Sequence, residues 1–367
     1  MKIGILTHHF VNNFGAFLQA YALREALAQE FPDDTVEIID FINIKQYVIN
    51  SLGWFRYYRD RENLKCWIEK IQVPWTFAQA RKQYMVLSKR CYSTAQVNQL
   101  GYDTIVFGSD EIWNYQDKRS TAKIKFGCGI NCKNKIAYAP SVGSSSGNIP
   151  HYVQDGIKGF SAVSARDSLT QNVVKDVLGI TPDSVLDPTF LSNIPSSKSY
   201  INKPYILFYY CDHLPSAVKN QILEYAKNHG LAVFGAGEAD KRYDEITINL
   251  SPFEWVDMFR NAEFVFTGTF HGVVFSVLNK CQFKVYLTNK SRIQKVKALL
   301  DSCGIKDREM DDRFVFDLTE EKDQINYEKV YDLLNEQRRK SKDYLFNAVE
   351  LGRNADRAND NRIHIGK

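Results

Sequence analysis

The stretch that decides the fold is MKIGILTHHFVNNFGAFLQAYALREALAQEFPDDTVEIID, residues 1–40. Its apolar runs at residues 2–6 and 36–40 have the length and composition of buried strands. Residues 15–30 between them carry apolar side chains at about every third or fourth position, as one side of an amphipathic helix does. A strand, a helix and a second strand in this order form a right-handed crossover between parallel strands. The opening therefore predicts a Rossmann-like α/β domain.

The alternation of short apolar runs with helical periodicity continues along the chain and then repeats. Residues 192–204, rich in Ser, Asn, Lys and Pro, have the composition of a linker, and we place the domain boundary there. The predicted parts are an N-terminal Rossmann-like domain (residues 1–192) with an aromatic and basic helical insertion near residues 54–90, a C-terminal Rossmann-like domain (205–310), a helix that packs back across the domains (320–352) and a disordered tail (353–367).

Two local patterns predict helix starts in the second half. Ser251 is followed by Pro252 and, three residues after Ser251, by Glu254, which is the pattern of a capping box with proline in the first turn. A predicted strand at residues 264–266 runs into the small-residue turn TGTFHG, residues 267–272. We expect the helix that leaves this turn to begin at Val273.

Composition excludes several classes of protein. The chain has 367 residues, enough for two domains, and its 47 Lys and Arg against 43 Asp and Glu do not predict a nucleic-acid partner. The N-terminus turns polar too soon for a signal peptide, and no apolar run approaches the roughly 20 residues of a membrane span. We expect a cytoplasmic enzyme whose only contact with a membrane is peripheral, at the cytoplasmic face.

The cysteines predict neither a disulfide framework nor a metal site. There are seven, an odd number scattered along the chain. The closest pair, Cys128 and Cys132, lacks the usual zinc spacing and has no second ligand pair after it. We therefore expect reduced thiols, no protein-held metal and no cofactor.

The carboxyl ends of parallel strands are where an open α/β sheet binds its ligand, so the turn at residues 267–272 is a candidate site. A strand, a small-residue turn and a helix start present backbone N–H groups and a positive dipole end to a phosphate or carboxylate. Thr269 and Gly272 lie in this turn, and His271 adds a side chain that can donate a hydrogen bond or a proton. The alternative is that His271 only packs at the helix start, but we favour a functional role.

A second candidate turn follows the predicted strand at residues 103–107. Asp110 supplies a carboxylate there, and Trp113 has an indole that can stack on a sugar ring. It is equally consistent with the sequence that Ser109 and Asp110 cap a short helix and that Trp113 belongs to the core. Asn13 and Gly15, at the start of the first helix, are either a structural N-cap pair or ligand contacts.

Two arginines are candidate anion donors. Arg166 follows a predicted strand, and Arg292 lies at the head of a helix. The planar guanidinium suits a carboxylate or phosphate, although a salt bridge from Arg166 to Asp187 is a reasonable alternative. The pair Gly235 and Gly237 is too weak a pattern to predict a nicotinamide site.

Taken in order, six motifs resemble the polysaccharide pyruvyl transferase family, and the resemblance runs from residue 1 to about residue 310. They are NNFGAFLQAYAL (residues 12–23), FGSDEIWN (107–114), IAYAPSVG (136–143), SARD (164–167), LDPTF (186–190) and FTGTFHGVVFS (266–276). The resemblance implies two Rossmann-like domains with the GT-B glycosyltransferase architecture and an active site in the interdomain cleft. Members with known activity transfer the pyruvyl group of phosphoenolpyruvate to two sugar hydroxyls, which forms a cyclic ketal and releases phosphate.

By position, the resemblance assigns His271 to phosphate contact or proton transfer. Characterised members carry an Arg-x-His pair in this turn, whereas Thr269 occupies the place of the arginine here. Either Arg166 or Arg292 then supplies the missing charge, or the donor is different. We expect His271 and Asp110 to be catalytic and a glycan or lipid-linked sugar to be the acceptor.

The remaining site predictions divide into donor and acceptor groups. The donor-binding residues are Arg166, Thr269, Gly272 and Arg292, and the acceptor or cleft residues are Asn13, Gly15, Gln19, Ser109, Trp113, Asn114 and Ser141. The alternative functions are a nucleotide-sugar glycosyltransferase, with a base-sized pocket near residues 235–238, and a non-catalytic glycan-binding relative.

Overall fold

A computed structural model describes residues 1–59, 62–197, 201–211, 213–288, 290–321 and 324–365, with the backbone alone for residues 290, 291, 321 and 355–365. The chain divides into two compact units. The first unit contains residues 1–50, 82–193 and 336–367, and the second contains residues 51–81 and 194–335. The division between residues 193 and 194 falls within the polar segment predicted as a linker, of which residues 198–200 lie outside the described residues.

The described elements alternate between strands and helices. The strands are β1 (Lys2–Leu6), β2 (Thr35–Ile38), β3 (Thr104–Phe107), β4 (Asn134–Ala137), β5 (Ala162–Ala165), β6 (Asp183–Ser184), β7 (Tyr205–Tyr209), β8 (Ala232–Gly235), β9 (Phe264–Thr267) and β10 (Phe283–Val285). The α-helices are α1 (Phe14–Glu30), α2 (Ile44–Gly53), α3 (Leu64–Tyr84), α4 (Thr94–Asn98), α5 (His151–Lys158), α6 (Ser168–Leu178), α7 (Ser216–Asn228), α8 (Pro252–Arg260), α9 (Phe270–Leu278), α10 (Lys290–Ser302), α11 (Leu318–Glu321) and α12 (Tyr327–Ile365).

The first unit is built on a parallel sheet with the strand order β2-β1-β3-β4-β5-β6. The chain starts at β1, adds β2 on one side and then crosses to β3 on the other. A crevice opens at such a reversal, beyond the carboxyl ends of the two strands, and this is where doubly wound sheets bind ligands. In the first unit the crevice lies between His8, after β1, and Asp110, after β3.

The second unit contains a smaller parallel sheet with the order β10-β9-β7-β8, in which the direction of strand addition also reverses once. Its reversal lies between β7 and β9, so the residues after Tyr209 and Thr267 flank the corresponding crevice. Aromatic rings fill the core, where Phe208 stacks on Phe266 with centroids 5.2 Å apart. The predicted α/β class, with Rossmann-like parallel sheets, is confirmed.

Of the two helix starts predicted in the second half, one is confirmed and one is wrong. The capping box at Ser251 and Glu254 is present and starts α8 at Pro252, as predicted. By contrast, α9 begins at Phe270, three residues before the predicted start, because Thr269 is its N-cap. Strand β4 ends at Ala137, and Ala139, two residues later, has a φ of 50° where the chain turns.

Residues 51–81, which the sequence analysis placed with the first domain, group with the second unit instead. Side-chain hydrogen bonds explain the grouping, since Thr76 Oγ1 donates to Asn249 Oδ1 at 2.6 Å and Asn249 Nδ2 donates to Gln72 Oε1 at 3.1 Å. Such bonds join residues far apart in sequence, so no local pattern predicts them.

The C-terminal helix α12 belongs to both units. Residues 327–335 group with the second, where Tyr331 Oη donates to Leu278 O at 3.0 Å. Residues 336–365 group with the first, where Leu186 N donates to Ser341 Oγ at 2.9 Å. The helix continues through Ile365, past the point where the tail was predicted to begin. Among the described residues, no helix combines the length and apolarity that a bilayer crossing requires.

Candidate functional site

At the carboxyl edge of the first sheet, Arg166 joins two carboxylates. Its Nη2 donates to Asp110 Oδ1 at 3.0 Å, and its Nη1 donates to Asp187 Oδ2. The guanidinium side chain is only 4% exposed, and Asp187 is held in turn by Thr189, whose N–H and hydroxyl both donate to Asp187 Oδ1. The salt bridge to Asp187 considered from the sequence is therefore present. Arg166 orients Asp110, and its charge is already balanced by two carboxylates.

The backbone of Asp110 is held in a conformation that side chains rarely adopt, with φ 70° and ψ −173°. This region is nearly exclusive to glycine and costs about 1–3 kcal/mol for other residues. Neighbouring groups enforce it, since Ser141 N donates to Asp110 O at 2.8 Å and Arg166 binds the side chain. The Asp110 carboxylate is thus held in a strained conformation and is partly exposed at the crevice of the first sheet.

A buried histidine and lysine stand beside Asp110, and the sequence analysis named neither as a site residue. Lys125 Nζ lies 2.6 Å from His8 Nε2, 2.6 Å from Ser120 O and 3.2 Å from Gln46 Oε1. Three acceptors match the three N–H bonds of an ammonium group. An ammonium has no lone pair, so His8 Nε2 accepts and the ring proton lies on Nδ1.

The pKa values of this pair follow from burial. Desolvation, with the nearby charge of Lys125, lowers the pKa of His8 to about 3, so the imidazole is neutral at physiological pH. Desolvation also lowers the pKa of Lys125 to about 7, although the charges of Asp117 and Asp110 oppose this shift. While Lys125 is protonated, His8 is thus a neutral imidazole that accepts at Nε2 and can donate from Nδ1.

Several residues predicted to contact the sugar acceptor are instead buried, and they hold together the loops at the carboxyl edge of the first sheet. Gln19 and Ser109 are fully buried, and Gln19 Oε1 accepts from both Ser109 N at 3.0 Å and Ser109 Oγ at 2.9 Å. Gln19 Nε2 also donates to Thr7 Oγ1 at 2.9 Å, which ties the loop after β1 to the loop after β3. Ser141 is likewise buried, and its Oγ accepts from Gly143 N at 3.1 Å.

Trp113 is a core residue and does not form a sugar-stacking platform. Its side chain is 0% exposed and stacks on Phe126 with centroids 5.7 Å apart. The indole Nε1 donates to the backbone oxygen of Lys125 at 2.9 Å, so Trp113 helps to place the buried lysine. Asn114 organises the neighbouring loop, because its Oδ1 accepts from Ser145 Oγ at 2.9 Å and Asp117 N at 3.1 Å.

At the start of α1, the structural alternative is the one observed. Asn13 is the N-cap, and its Oδ1 accepts from Ala16 N at 3.0 Å. Gly15 is buried in the first turn. These two residues hold the loop that carries His8 and His9, and His9 is itself fixed by Asp40, whose Oδ1 lies 3.0 Å from His9 Nε2.

In the second unit, the turn after β9 is an N-cap built around two threonines. Thr269 Oγ1 accepts from Gly272 N at 3.0 Å, and Thr267 Oγ1 donates to Tyr209 O at 2.9 Å. A Cβ on Gly272 would lie 2.0 Å from Thr267 Oγ1, so this glycine lets α9 pack against its own strand. Thr269 and Gly272, predicted as donor-binding residues, thus bind each other.

His271 lies in the first turn of α9, at the positive end of the helix dipole. Arg292, on α10, has its charge close to Tyr209 at the end of β7. Burial and the neighbouring Tyr210 raise the pKa of Tyr209 well above its usual range, while the charge of Arg292 opposes that rise. His271 and Arg292 therefore both lie at the carboxyl edge of the second sheet, where an anion meets a positive potential.

The space beside Gly235 is filled by the protein itself. A Cβ on Gly235 would lie 2.5 Å from Tyr243 Cε2 and 2.7 Å from Glu238 Cγ. Glu238 is held there by Tyr243 Oη, which donates to its Oε1 at 2.6 Å, and by Tyr210 N, which donates to its Oε2. Tyr243 and Glu238 therefore occupy the space directly against Gly235.

A family model described as polysaccharide pyruvyl transferase matches residues 13–289 of the chain. The chain belongs to the polysaccharide pyruvyl transferase family. The match includes Asp110, Arg166 and His271, whereas His8 and Arg292 lie outside the matched residues. Membership supports a transferase that acts in polysaccharide modification. A search of curated proteins found no significant match.

Solved structures similar to this pyruvyl transferase family member include three sugar-related proteins. The glycotransferase of kitacinnamycin is 11% identical, with coverage of 96% of this chain and 98% of the other and a TM-score of 0.47. The ADP-heptose LPS heptosyltransferase II of E. coli is 9% identical, with coverage of 93% and 100% and a TM-score of 0.41. The UDP-GlcNAc 2-epimerase of Methanocaldococcus jannaschii is 10% identical, with coverage of 91% and 92% and a TM-score of 0.43. Identities this low carry no information about a shared substrate.

Proposed function

We propose that the protein transfers the pyruvyl group of phosphoenolpyruvate to two hydroxyls of a sugar, in the cytoplasm, during synthesis of a capsule or exopolysaccharide. The observation that carries the proposal is the strained Asp110 carboxylate at the crevice of the first sheet, oriented by Arg166, in a member of the pyruvyl transferase family. The acceptor is a glycan or a lipid-linked sugar. The interdomain cleft implied by the family resemblance stays a prediction.

The reaction needs proton transfer and a site for anions. C3 of the enolpyruvate takes up one proton, a sugar hydroxyl adds at C2, phosphate leaves, and the second hydroxyl closes the ring. Of the two hydroxyl protons, one ends in the new methyl group and one on phosphate. We assign Asp110 as the general base for a sugar hydroxyl, because Arg166 orients this carboxylate at the crevice and a positioned carboxylate can accept a proton.

Neutral and cationic hydrogen-bond donors have separate roles in the proposed reaction. His8 donates from Nδ1 to a substrate oxygen beside Asp110 while protonated Lys125 donates to its Nε2. His271 and Arg292 contact the phosphate or carboxylate of the donor at the edge of the second sheet. Arg292 then supplies the charge that Thr269 cannot, since Arg166 is balanced by two carboxylates.

Thermal denaturation with added ligands tests the donor. Phosphoenolpyruvate at saturating concentration should raise the melting temperature, because a ligand that binds only the folded state stabilises it. The Arg292→Ala variant should lose this response, whereas a change at the exposed Arg119, to Ala, should keep it. A shift with nucleotide sugars and none with phosphoenolpyruvate would establish the glycosyltransferase alternative instead.

Turnover is tested by phosphate release from phosphoenolpyruvate with a panel of lipid-linked and free saccharides. Each phosphate released should be matched by a product whose mass increase corresponds to one pyruvate ketal. The His271→Ala variant should lose both signals. Sugar binding that survives in this variant, together with no turnover by the unmodified protein on any acceptor, would indicate a non-catalytic glycan-binding relative.

A further inference from the structure

Exposed apolar side chains are concentrated in one segment, residues 44–75, which contains α2 and the first half of α3. Among the described residues, eleven of the seventeen exposed large hydrophobic side chains lie in this segment. They are Ile44, Tyr47, Val48, Ile49, Leu52, Phe55, Tyr57, Tyr58, Leu64, Ile68 and Trp75. Trp75 is 69% exposed and Leu64 is 66% exposed. Such a concentration of exposed apolar area marks an interaction surface.

The exposed residues follow helical spacing. On α2, Ile44, Val48 and Leu52 recur every four residues and so share one face. On α3, Leu64 and Ile68 are also four residues apart. Amphipathic periodicity normally turns apolar residues toward a core. In this segment, the same periodicity gives each helix an apolar face that is open to solvent.

Hydrogen bonds hold the described residues on either side of residues 60 and 61, between the two helices. Trp67 Nε1 donates to Phe55 O at 3.0 Å, and Tyr58 N donates to Glu62 Oε2 at 3.1 Å. Lys70 Nζ donates to Glu62 Oε1 at 2.5 Å and lies 4.5 Å from the centroid of the Tyr58 ring. The exposed aromatic rings are thus presented by an organised backbone.

The charges of the segment favour an anionic partner. Among its described residues, the exposed charged side chains are all basic, namely Lys45, Arg56, Arg59 and Lys65, whereas Glu69 is half-buried. Glu62 is buried and paired with Lys70. A second copy of the chain would bring this basic surface against an identical one, which like-charge repulsion disfavours.

We propose that the part of this segment in the second unit, residues 51–75, binds the surface of a bilayer that contains anionic lipids. Its aromatic and aliphatic side chains enter the region of the headgroups, and Arg56, Arg59 and Lys65 contact lipid phosphates. This inference goes beyond the proposed function and does not depend on it. It gives the enzyme a surface that would collect it where a lipid-linked acceptor resides.

Co-sedimentation of the full chain with vesicles tests the proposal. The protein should pellet with vesicles of phosphatidylcholine and phosphatidylglycerol, and less with phosphatidylcholine alone or at high salt. The triple variant Leu52→Glu, Leu64→Glu, Trp75→Glu should lower the bound fraction roughly ten-fold. The matched control, Ile180→Glu with Val315→Glu, changes residues that are 62% and 74% exposed elsewhere and should bind as the unmodified protein does.

Two results would overturn the proposal. One is equal pelleting of the triple variant and the control pair. The other is a dimer in sedimentation velocity that the triple variant abolishes, without any vesicle binding by the unmodified protein, which would make the segment a contact between copies. Circular dichroism and the phosphoenolpyruvate melting shift, measured on the same variants, separate a folding defect from lost binding. Because vesicle binding requires no substrate, its failure would leave the proposed function to its own tests.

Discussion

The two sheet edges hold polar groups by different means. In the first unit, Arg166 lies between the carboxylates of Asp110 and Asp187, and the buried Lys125 amine lies against the neutral ring of His8. In the second, the turn after β9 is made of backbone and hydroxyl contacts, and the first turn of α9 supplies the positive end of a helix. Chemistry that needs a precisely held proton acceptor suits the first edge, and anion binding suits the second. Changes at the first edge should therefore have larger effects on stability and on rate.

The largest effect is expected from Arg166→Met, which leaves the buried Asp187 carboxylate without its ion pair. Removing one member of a buried pair costs about 3–5 kcal/mol. Urea denaturation measures the loss, and the exposed Arg119→Met change should cost almost nothing. Adding Asp187→Asn to Arg166→Met should restore part of the stability. A cost below about 1 kcal/mol for Arg166→Met would contradict the assigned role.

The second prediction separates function from strain at Asp110. Asp110→Gly relieves a φ of 70°, so the free energy of unfolding should change by no more than about 1 kcal/mol. Its rate of pyruvyl transfer should nevertheless fall by roughly 100-fold or more, the usual contribution of a general base. Ala139→Gly relieves a φ of 50° at a residue without a functional group and should keep full activity. Full activity in Asp110→Gly would remove Asp110 from the mechanism.

The third prediction concerns pH. The pKa of His8 falls from its ordinary 6.5 to about 3 on folding, so below pH 6.5 the unfolded chain binds more protons than the folded one. Stability should therefore decrease as the pH drops from about 6.5 toward 3, with His8 contributing about 2 kcal/mol of the loss by pH 5. Denaturation at pH 7 and pH 5 should show a smaller loss in His8→Gln. An identical pH dependence in both proteins would show that His8 is not held neutral.

The smallest effect is expected at the second edge. Thr269→Ala removes the side-chain acceptor of Gly272 N and should cost about 1 kcal/mol, whereas Thr269→Ser should cost less. Thermal denaturation of the two variants measures the difference. Equal stability of the Ala and Ser variants would show that the Thr269 cap contributes nothing to the free energy of unfolding. The turn after β9 would then not be held by this hydroxyl contact.

The sequence predicted local features well because they depend on neighbours in the chain. The capping box at Ser251, the parallel crossovers and the candidate turns after the strands all follow from short patterns. The same patterns left Trp113 undecided between core and sugar platform, since burial against Phe126 depends on residues that lie outside the motif. They also placed the start of α9 three residues late, because in the sequence Thr269 looks like an ordinary turn residue rather than an N-cap.

What the sequence by itself determined is the α/β class, the order of the elements and the family, all carried by periodicity and by motifs in fixed order. Only the tertiary structure decided which polar residues form hydrogen bonds or ion pairs with each other. Lys125 meets His8 across 117 residues of sequence, and Arg166 reaches Asp110 across 56. Desolvation sets the pKa of Lys125 and His8, and desolvation depends on how the whole unit packs around a group. No local pattern contains that information.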